Sequence, residues 1–359
     1  MLNYIIKRLL YGILVMLGVI VVVFFLFNVL PGDPARMMLG QRADISSLES
    51  IKKELGLDQP MHIRFLNYVN DLSPVSVHNP KNPKSYWYLN KTNYSFVKLF
   101  SLSENKVVVL KKPFLRRSYQ NQRKVSEILA ESFPLTAILA LASMLFALIV
   151  GVIVGIFAAL KKNSIFDKLS LVTAVFGMSL PSFFAAVLAA WFFAFVLAKY
   201  TGLNMTGSLF TIDDYGNGQY LDLKNLILPA LTLGIRPLAI IIELTRSSML
   251  DVLSQDYIRT ARAKGLSEFK VITKHALKNA LNPIITAISG WLASLMAGAV
   301  FIEYVFDWKG VGVVMVNALE KYDFPVVMGL VLFISIILVF INIFVDVIYG
   351  WIDPRVSYQ

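Results

Sequence analysis

The chain has 359 residues, 57% apolar and 16% charged, with a mean hydropathy of +0.64, values that exclude an ordinary soluble globular domain of this length. It has no cysteine, which excludes a disulfide framework, a thiolate metal site and a cysteine nucleophile. The formal net charge is +11, but residues 75–124 hold eleven Lys or Arg against the single acid Glu104, so the rest of the chain is nearly balanced and no basic, water-facing nucleic-acid-binding domain is expected.

A helix needs about 20 apolar residues to cross the hydrocarbon core of a bilayer. Six such runs are present, at 9–30, 133–160, 169–198, 226–246, 283–302 and 325–349. They predict an all-α integral membrane protein of six transmembrane helices. The first run follows Lys7 and Arg8. It is longer than the apolar stretch of a secretory signal, roughly 7–15 residues, and it ends in Val29-Leu30-Pro31-Gly32-Asp33-Pro34 rather than a small-residue cleavage site. It reads as a retained helix, so residues 1–30 form the N-terminal span.

The positive-inside rule puts Lys161, Lys162 and Lys168, the six basic residues from Arg259 to Lys278, and Arg355 on the side of the N-terminus. The short loops on the other side carry Lys199, Lys224, Lys309 and Lys321, offset by acids that include Glu303, Asp307 and Asp323. Both termini are therefore expected in the cytoplasm. Residues 31–132 then form a long extracytoplasmic insertion between the first two spans, since long segments translocate largely regardless of charge. Within it a helix through Ile51 and Leu55 stops at Gly56, and a second starts after Pro60 through Ile63, Leu66 and Val69. The basic insert at 74–113, with alternations such as Lys106-Val107-Val108-Val109-Leu110, is either a small strand-containing excursion or a mobile loop. Its Trp87, Tyr86, Tyr88 and Tyr94, with Tyr119 beyond it, form either a local mini-core or a partner surface.

Residues 133–359 read as a five-helix core. Gly151 and Gly155 are spaced for close helix packing. Arg236 and Glu243 lie seven residues apart on one helix face. Either they line a translocation path, or Glu243 pairs with Arg246 and Arg236 snorkels outward. Asn342 and Asp346 read as a helix-packing pair.

The cytoplasmic segment 251–282 carries the most information. Residues 255–264 read as a short helix stopped by Gly265, and Ser267 is placed to cap a second helix running to Pro283. That helix carries Phe269, Ile272, Ala276 and Ala280 on one face and Lys270, Lys274 and Lys278 on another. The lysines suit anionic lipid headgroups. The helix-Gly-helix device presents Tyr257, Arg259, Arg262 and Lys264 together, which suits docking of a protein.

The stretch Asp256-Tyr257-Ile258-Arg259-Thr260-Ala261-Arg262-Ala263-Lys264-Gly265-Leu266-Ser267, with His275-Ala276-Leu277-Lys278-Asn279-Ala280-Leu281-Asn282-Pro283, resembles the cytoplasmic loop of ABC importer permeases of the oligopeptide/dipeptide/nickel family. Thr245-Arg246-Ser247-Ser248-Met249-Leu250, Asp353-Pro354-Arg355, Pro31-Gly32-Asp33-Pro34 and Leu55-Gly56-Leu57-Asp58-Gln59-Pro60 extend the likeness over nearly all of the chain outside the insert. Two departures stand out: Arg259-Thr260-Ala261 where the broader superfamily often has Glu-Ala-Ala, and Lys309 where a proline is common.

The resemblance implies a B-type permease fold in the bacterial cytoplasmic membrane. It implies that Tyr257, Arg259, Ala261, Arg262, Lys264, Gly265, Leu266 and Ser267 couple to an ATPase subunit. The implied partners are a second homologous permease, two cytoplasmic ATP-binding subunits, an extracytoplasmic solute-binding protein and membrane lipid. The chain has no G-x-x-x-x-G-K-[ST] phosphate loop, so ATP and Mg are expected on the partner ATPases and no cofactor on this chain. The rival readings are a proton-coupled secondary transporter relaying through Glu243 or Asp346, and a scaffold that binds an acidic protein through the basic loop.

Overall fold

The computed structural model describes residues 2–29, 33–39, 44–82, 85, 87–90, 93–212, 218–296 and 299–352. Pro31, Gly32, Tyr86 and Asp353-Pro354-Arg355, singled out above, lie outside them. In chain order the elements are α1 (Leu2–Val29), α2 (Pro34–Leu39), α3 (Ile45–Glu54), α4 (Met61–Leu72), β1 (Val75–His78), β2 (Phe96–Ser103), β3 (Lys106–Lys111), α5 (Val125–Leu160) and α6 (Ile165–Ser179). There follow α7 (Ser182–Ala189), continued by a π-helical stretch Ala190–Val196, then α8 (Ala198–Thr201), β4 (Phe210–Ile212), β5 (Gln219–Leu221), α9 (Lys224–Leu253), α10 (Asp256–Ala263) and α11 (Glu268–Lys270). After a second π-helical stretch, Val271–Ala276, come α12 (Leu277–Met296), α13 (Val300–Val305), α14 (Val311–Glu320) and α15 (Phe324–Ile352). The chain forms two compact units: Met1–Ser132 with Val314–Ile336, and Phe133–Val313 with Ile337–Gln359.

Four segments are long and apolar enough to cross a membrane: Ile6–Asn28, Val125–Leu160, Lys224–Leu253 and Phe324–Phe344. The run read as one span at 169–198 is instead a pair, Ile165–Ser179 and Ser182–Val196, bent by 108°. Leu180 takes an extended ψ of 130° ahead of Pro181, because a proline ring disfavours helical geometry in the residue before it and supplies no N–H. Counting the pair as one gives five spans among the described residues, one fewer than the six runs in the sequence. The run at 283–302 falls on α12, which starts ahead of Pro283 and carries it in its interior, and on the separate α13. Proline therefore does not end the helix there, contrary to the sequence reading.

In the first unit Gly56 ends α3 with φ +66°. The Leu57 N–H reaches the Lys52 carbonyl at 2.8 Å and the Gly56 N–H the Lys53 carbonyl at 3.1 Å, the paired bonds of a left-handed helix stop. The apolar positions Ile63 and Leu66 of α4 are exposed, and Tyr68 is its buried residue. Phe24 of α1 packs against Phe65 and Tyr68 at ring separations of 5.1 and 5.7 Å.

The fold is not all-α. The insert holds a three-stranded antiparallel sheet in the order β1-β3-β2, and β4 pairs with β5 elsewhere. The central strand β3 buries Val107, Val108 and Val109, as its β-branched composition favours. Of the two readings of the insert, the strand-containing one matches. Its aromatics form a local cluster: the Tyr94 ring lies 4.8 Å from His78 and 5.1 Å from Phe114, and its hydroxyl donates to Asp71 at 2.7 Å.

His78 of β1 is 1% exposed, with Nε2 3.0 Å from Ser76 Oγ and Nδ1 3.3 Å from the Trp87 carbonyl. Burial, followed by repulsion from Lys111, lowers its pKa from the ordinary 6.5, against smaller opposing effects of the Trp87 carbonyl and Asp71. A depressed folded-state pKa means the unfolded chain binds the proton first. The stability it contributes is complete above about pH 6.5 and is lost as pH falls through the folded-state value. Amide exchange in β1 and β3, corrected for intrinsic rates, should accelerate on acidification below that pH, and His78→Phe should flatten the response. An identical pH response in the variant would exclude His78 as the cause.

Candidate functional site

The second unit presents the segment 251–282 as a helix, a turn and a brace. In α10, Ile258 and Ala261 are 0% and 5% exposed. They pack with Ala159, Met249, Val271, Ala276 and Ala280, and Leu266 closes over the same cluster. Ala261 and Leu266 thus anchor the segment, whereas Tyr257, Arg259, Arg262 and Lys264 are exposed together on its outer surface.

The turn is a Schellman stop. Gly265 has φ +76°, its N–H reaches the Arg262 carbonyl at 2.9 Å, and the Leu266 N–H reaches the Ala261 carbonyl at 3.4 Å. A Cβ on Gly265 would meet nothing within 4 Å, so backbone conformation rather than space demands glycine here. Beyond the turn, Arg262 reaches back to Glu268 with Nε–Oε1 at 2.8 Å and Nη2–Oε2 at 3.3 Å. That bidentate brace was not read from the sequence, although Arg262 and Glu268 flank the glycine. Tyr257 is held from the other side, its hydroxyl accepting the Asn279 amide at 2.9 Å.

Two expectations fail locally. Ser267 occupies the N-cap position of α11 in extended conformation but makes no side-chain cap bond. Phe269, placed by periodicity on the buried face with Ala276 and Ala280, is 75% exposed. The π-helical stretch 271–276 shifts the phase of the helix after Phe269, so positions counted at 3.6 residues per turn no longer share a face.

The arginine in the Thr245-Arg246-Ser247 motif ties α9 to α6. Its Nη2 lies 2.8 Å from Asp167 Oδ2, and its Nε bonds Oδ1 of the same carboxylate. Asp167 is 2% exposed and also accepts the Asn163 N–H at 2.9 Å. Arg246 is therefore not the partner of Glu243, which is exposed and makes no ion pair among the described residues. Above this pair α5 and α9 run close. A Cβ on Gly151 would lie 2.7 Å from Ile241 Cγ2 and one on Gly155 2.9 Å from the Ile242 carbonyl, so both glycines serve close packing as their spacing predicts.

Higher along α9 a cavity of about 320 Å³ opens between α6, α7, α9, α12 and α13. Arg236 lines it and donates to the Leu180 carbonyl at 3.3 Å, satisfying an acceptor that the α6 break frees. Thr232, Ser182 and Ser294 add polar groups to an otherwise apolar wall. Glu243 does not line it, so the pair read as one face is divided between a cavity wall and the outer surface. Asp346 and its neighbours lie where no side chain is described.

Beyond the cavity, Glu303 of α13 was counted from sequence as a loop charge, but it is 0% exposed. Its carboxylate accepts the Thr136 hydroxyl at 2.8 Å and the Gly312 N–H at 2.7 Å, joining α5 to the start of α14. Lys309, at the position where the resemblance leads one to expect proline, uses the N–H that proline lacks, donating to Ser208 Oγ at 3.3 Å.

Comparison with known proteins agrees with this arrangement. The family described as "Binding-protein-dependent transport system inner membrane component" matches residues 151–358, and its N-terminal companion, "Binding-prot-dependent transport system membrane comp, N-term", matches residues 1–81. The dipeptide transport system permease protein DppB of Alkalihalophilus pseudofirmus is 35% identical over 371 residues, covering 100% of both chains. The glutathione transport system permease protein GsiC is 35% identical over 359 residues in Salmonella typhimurium and 36% identical over 360 residues in Escherichia coli, again with 100% of both chains covered. Among solved structures, a chain of the MetNI methionine ABC transporter in an inward-facing conformation superposes with a TM-score of 0.50 at 16% identity, covering 64% of this chain and 97% of that one. A loop segment held by a glycine stop, a core of long apolar helices and three full-length relatives lead to one assignment: the chain belongs to the inner-membrane components of binding-protein-dependent transport systems and is a permease subunit of an ABC importer.

Proposed function

We propose that this permease imports peptides, forming the translocation path with a second, homologous permease and moving between inward-open and outward-open states as two cytoplasmic ATPases close and open. The full-length identity to dipeptide and glutathione permeases carries the reading of the solute. The chain is the transport component; ATP and Mg belong to the ATPases, and a solute-binding protein delivers cargo from outside. Six spans with both termini in the cytoplasm remain the topology that the basic-residue distribution favours. Proteoliposomes holding the complete transporter and its binding protein should accumulate labelled dipeptide only when ATP is inside the ATPase compartment. Uptake driven by a proton gradient without ATPases would overturn the reading.

In this scheme the exposed surface of α10 seats in an ATPase groove, with Tyr257, Arg259, Arg262 and Lys264 as its polar contacts. Phe269 extends that surface, since its phenyl ring beside α10 is 75% exposed. Buried aromatic anchors dominate interface energies, at about 2 kcal/mol or more when truncated. Phe269→Ala should therefore weaken retention of the ATPases about 30-fold during purification, while leaving thermal stability of this chain unchanged. Normal retention would remove Phe269 from the interface.

Arg236 would meet the peptide backbone or its carboxylate terminus in the cavity beneath Leu180. The basic insert would guide the binding protein by long-range attraction. Deleting 74–113 should then lower the association rate of the binding protein at low salt and flatten its salt dependence, and unchanged kinetics would sink the idea.

A further inference from the structure

The first unit contains a cavity of about 280 Å³ whose charge is unbalanced. Arg64, Arg116 and Arg117 line it against one acid, Asp71. Asp71 is committed to Arg116, at 2.8 Å from its Nε, and to the Tyr94 hydroxyl. Arg117 bonds only neutral oxygens, Asn93 Oδ1 at 3.1 Å and the Gln122 carbonyl at 2.9 Å. Arg64 bonds the Asn28 amide oxygen. Among the described residues neither Arg64 nor Arg117 has a carboxylate within ion-pair reach. Burial lowers the pKa of Arg64, with smaller effects from Tyr119, which raises it, and Arg116, which lowers it again. Half-buried guanidinium groups without a counter-charge are costly, and a bound anion would relieve that cost.

The depth of the cavity identifies the anion. Asn28, which closes the apolar span Ile6–Asn28, lines it, and so do Phe324 and Met328 from the first turns of the span Phe324–Phe344. The two span ends touch, with the rings of Phe27 and Phe324 5.8 Å apart. The arginines therefore sit where two hydrophobic spans meet the interface, the level of lipid phosphates. Phe24, Leu57 and Phe114 give the cavity an apolar side next to the cationic one. Its volume is below the roughly 300–1,000 Å³ of sites that enclose a whole drug-sized ligand, and suits a headgroup entering from a bilayer. Arginine forks match phosphate oxygens in pairs.

We infer that this cavity binds the phosphodiester headgroup of an anionic membrane lipid, held by Arg64 and Arg117 at the junction of the first and last spans. The complete transporter, stripped of lipid in detergent, is titrated with short-chain phosphatidylglycerol, short-chain phosphatidylcholine and inorganic phosphate, and binding is followed by native mass spectrometry. Saturable binding of phosphatidylglycerol is expected, tighter than that of phosphatidylcholine and about tenfold weaker in Arg64→Gln. Arg117→Gln provides the second variant if Arg64→Gln does not fold. Arg123→Gln, whose guanidinium pairs with exposed Glu131 away from the cavity, should bind as the native chain does. Equal binding by Arg64→Gln and Arg117→Gln, or an equal loss in Arg123→Gln, overturns the site. Displacement of the lipid by inorganic phosphate at matching concentration would make it a soluble-anion site, and displacement by an acidic peptide a protein contact; either outcome overturns the lipid assignment.

Discussion

Replacing Gly265 with valine should uncouple the transporter, abolishing ATP-dependent uptake while leaving the helical core folded. Two features that usually compete meet at this position. The residue has φ +76°, yet a Cβ there meets nothing within 4 Å. Steric exclusion is absent, so any defect must come from the backbone. An L-residue in the left-handed region costs about 1–2 kcal/mol, and a β-branched one is a stronger outlier. One or two kcal/mol changes a population by about 5–30-fold, which is enough to disfavour the turn that sets α10 at its angle. The Arg262–Glu268 brace spans this turn and would be lost with it. A graded series tests the mechanism: Asn tolerates left-handed geometry and should retain most uptake, Ala less, Val almost none. ATPase copurification should follow the same order. Equal uptake by Asn and Val variants would show that the turn is not what couples.

The second large effect is expected at Gly310, for the opposite reason. A Cβ at this position would overlap both the Glu303 carboxylate and the Thr136 hydroxyl. Neither can withdraw cheaply. The Thr136 hydroxyl donates to Glu303 while accepting the Val311 N–H at 2.9 Å, and Glu303 is closed in by Gly312, whose own Cβ would lie 2.7 Å from Val300 Cα. Overpacking a tight site costs about 1–3 kcal/mol. Leaving a buried hydrogen-bonding group unsatisfied costs about 1–3 kcal/mol more. Gly310→Ala should therefore lower the unfolding midpoint in detergent by many degrees and reduce yield, whereas Gly265→Ala should not. Glu303→Gln, which keeps the shape but presents an amide N–H₂ to backbone donors, should fall between them. A Gly310→Ala protein as stable as the native chain would mean that the α13–α14 connection does not close on Glu303.

These two glycines also separate what the sequence shows from what it hides. Gly265 was legible because a stop signal is local: a short amphipathic stretch, a glycine and a new helix start lie within a dozen residues. Gly310 gave no such signal. Its demand for space arises from Thr136 and Glu303, which stand 167 residues apart. The same distinction holds for charges. Arg246 and Asp167 are 79 residues apart, and the only partner that sequence reasoning offered Arg246, as one of two alternatives, was Glu243 within one helical turn. Phe269 was misplaced because a period of 3.6 was extended through a π-helical stretch, whose wider turn resets the phase.

Composition, run length and punctuation by themselves determined that this is a membrane protein, where most of its spans lie, and that α3 stops at Gly56 and α10 at Gly265; the motifs of the 256–283 segment added the resemblance to importer permeases. Each of these follows from interactions with lipid, with water or with residues nearby along the chain, which a sequence records directly. Tertiary structure decided that one span breaks by 108° at Leu180, that Arg236 but not Glu243 faces a cavity, that Glu303 is buried, and that Arg64 and Arg117 share a cavity with too few acids. Those outcomes depend on which distant groups close-packing brings together. A side chain's partners and exposure are properties of that packing, not of its position in the chain.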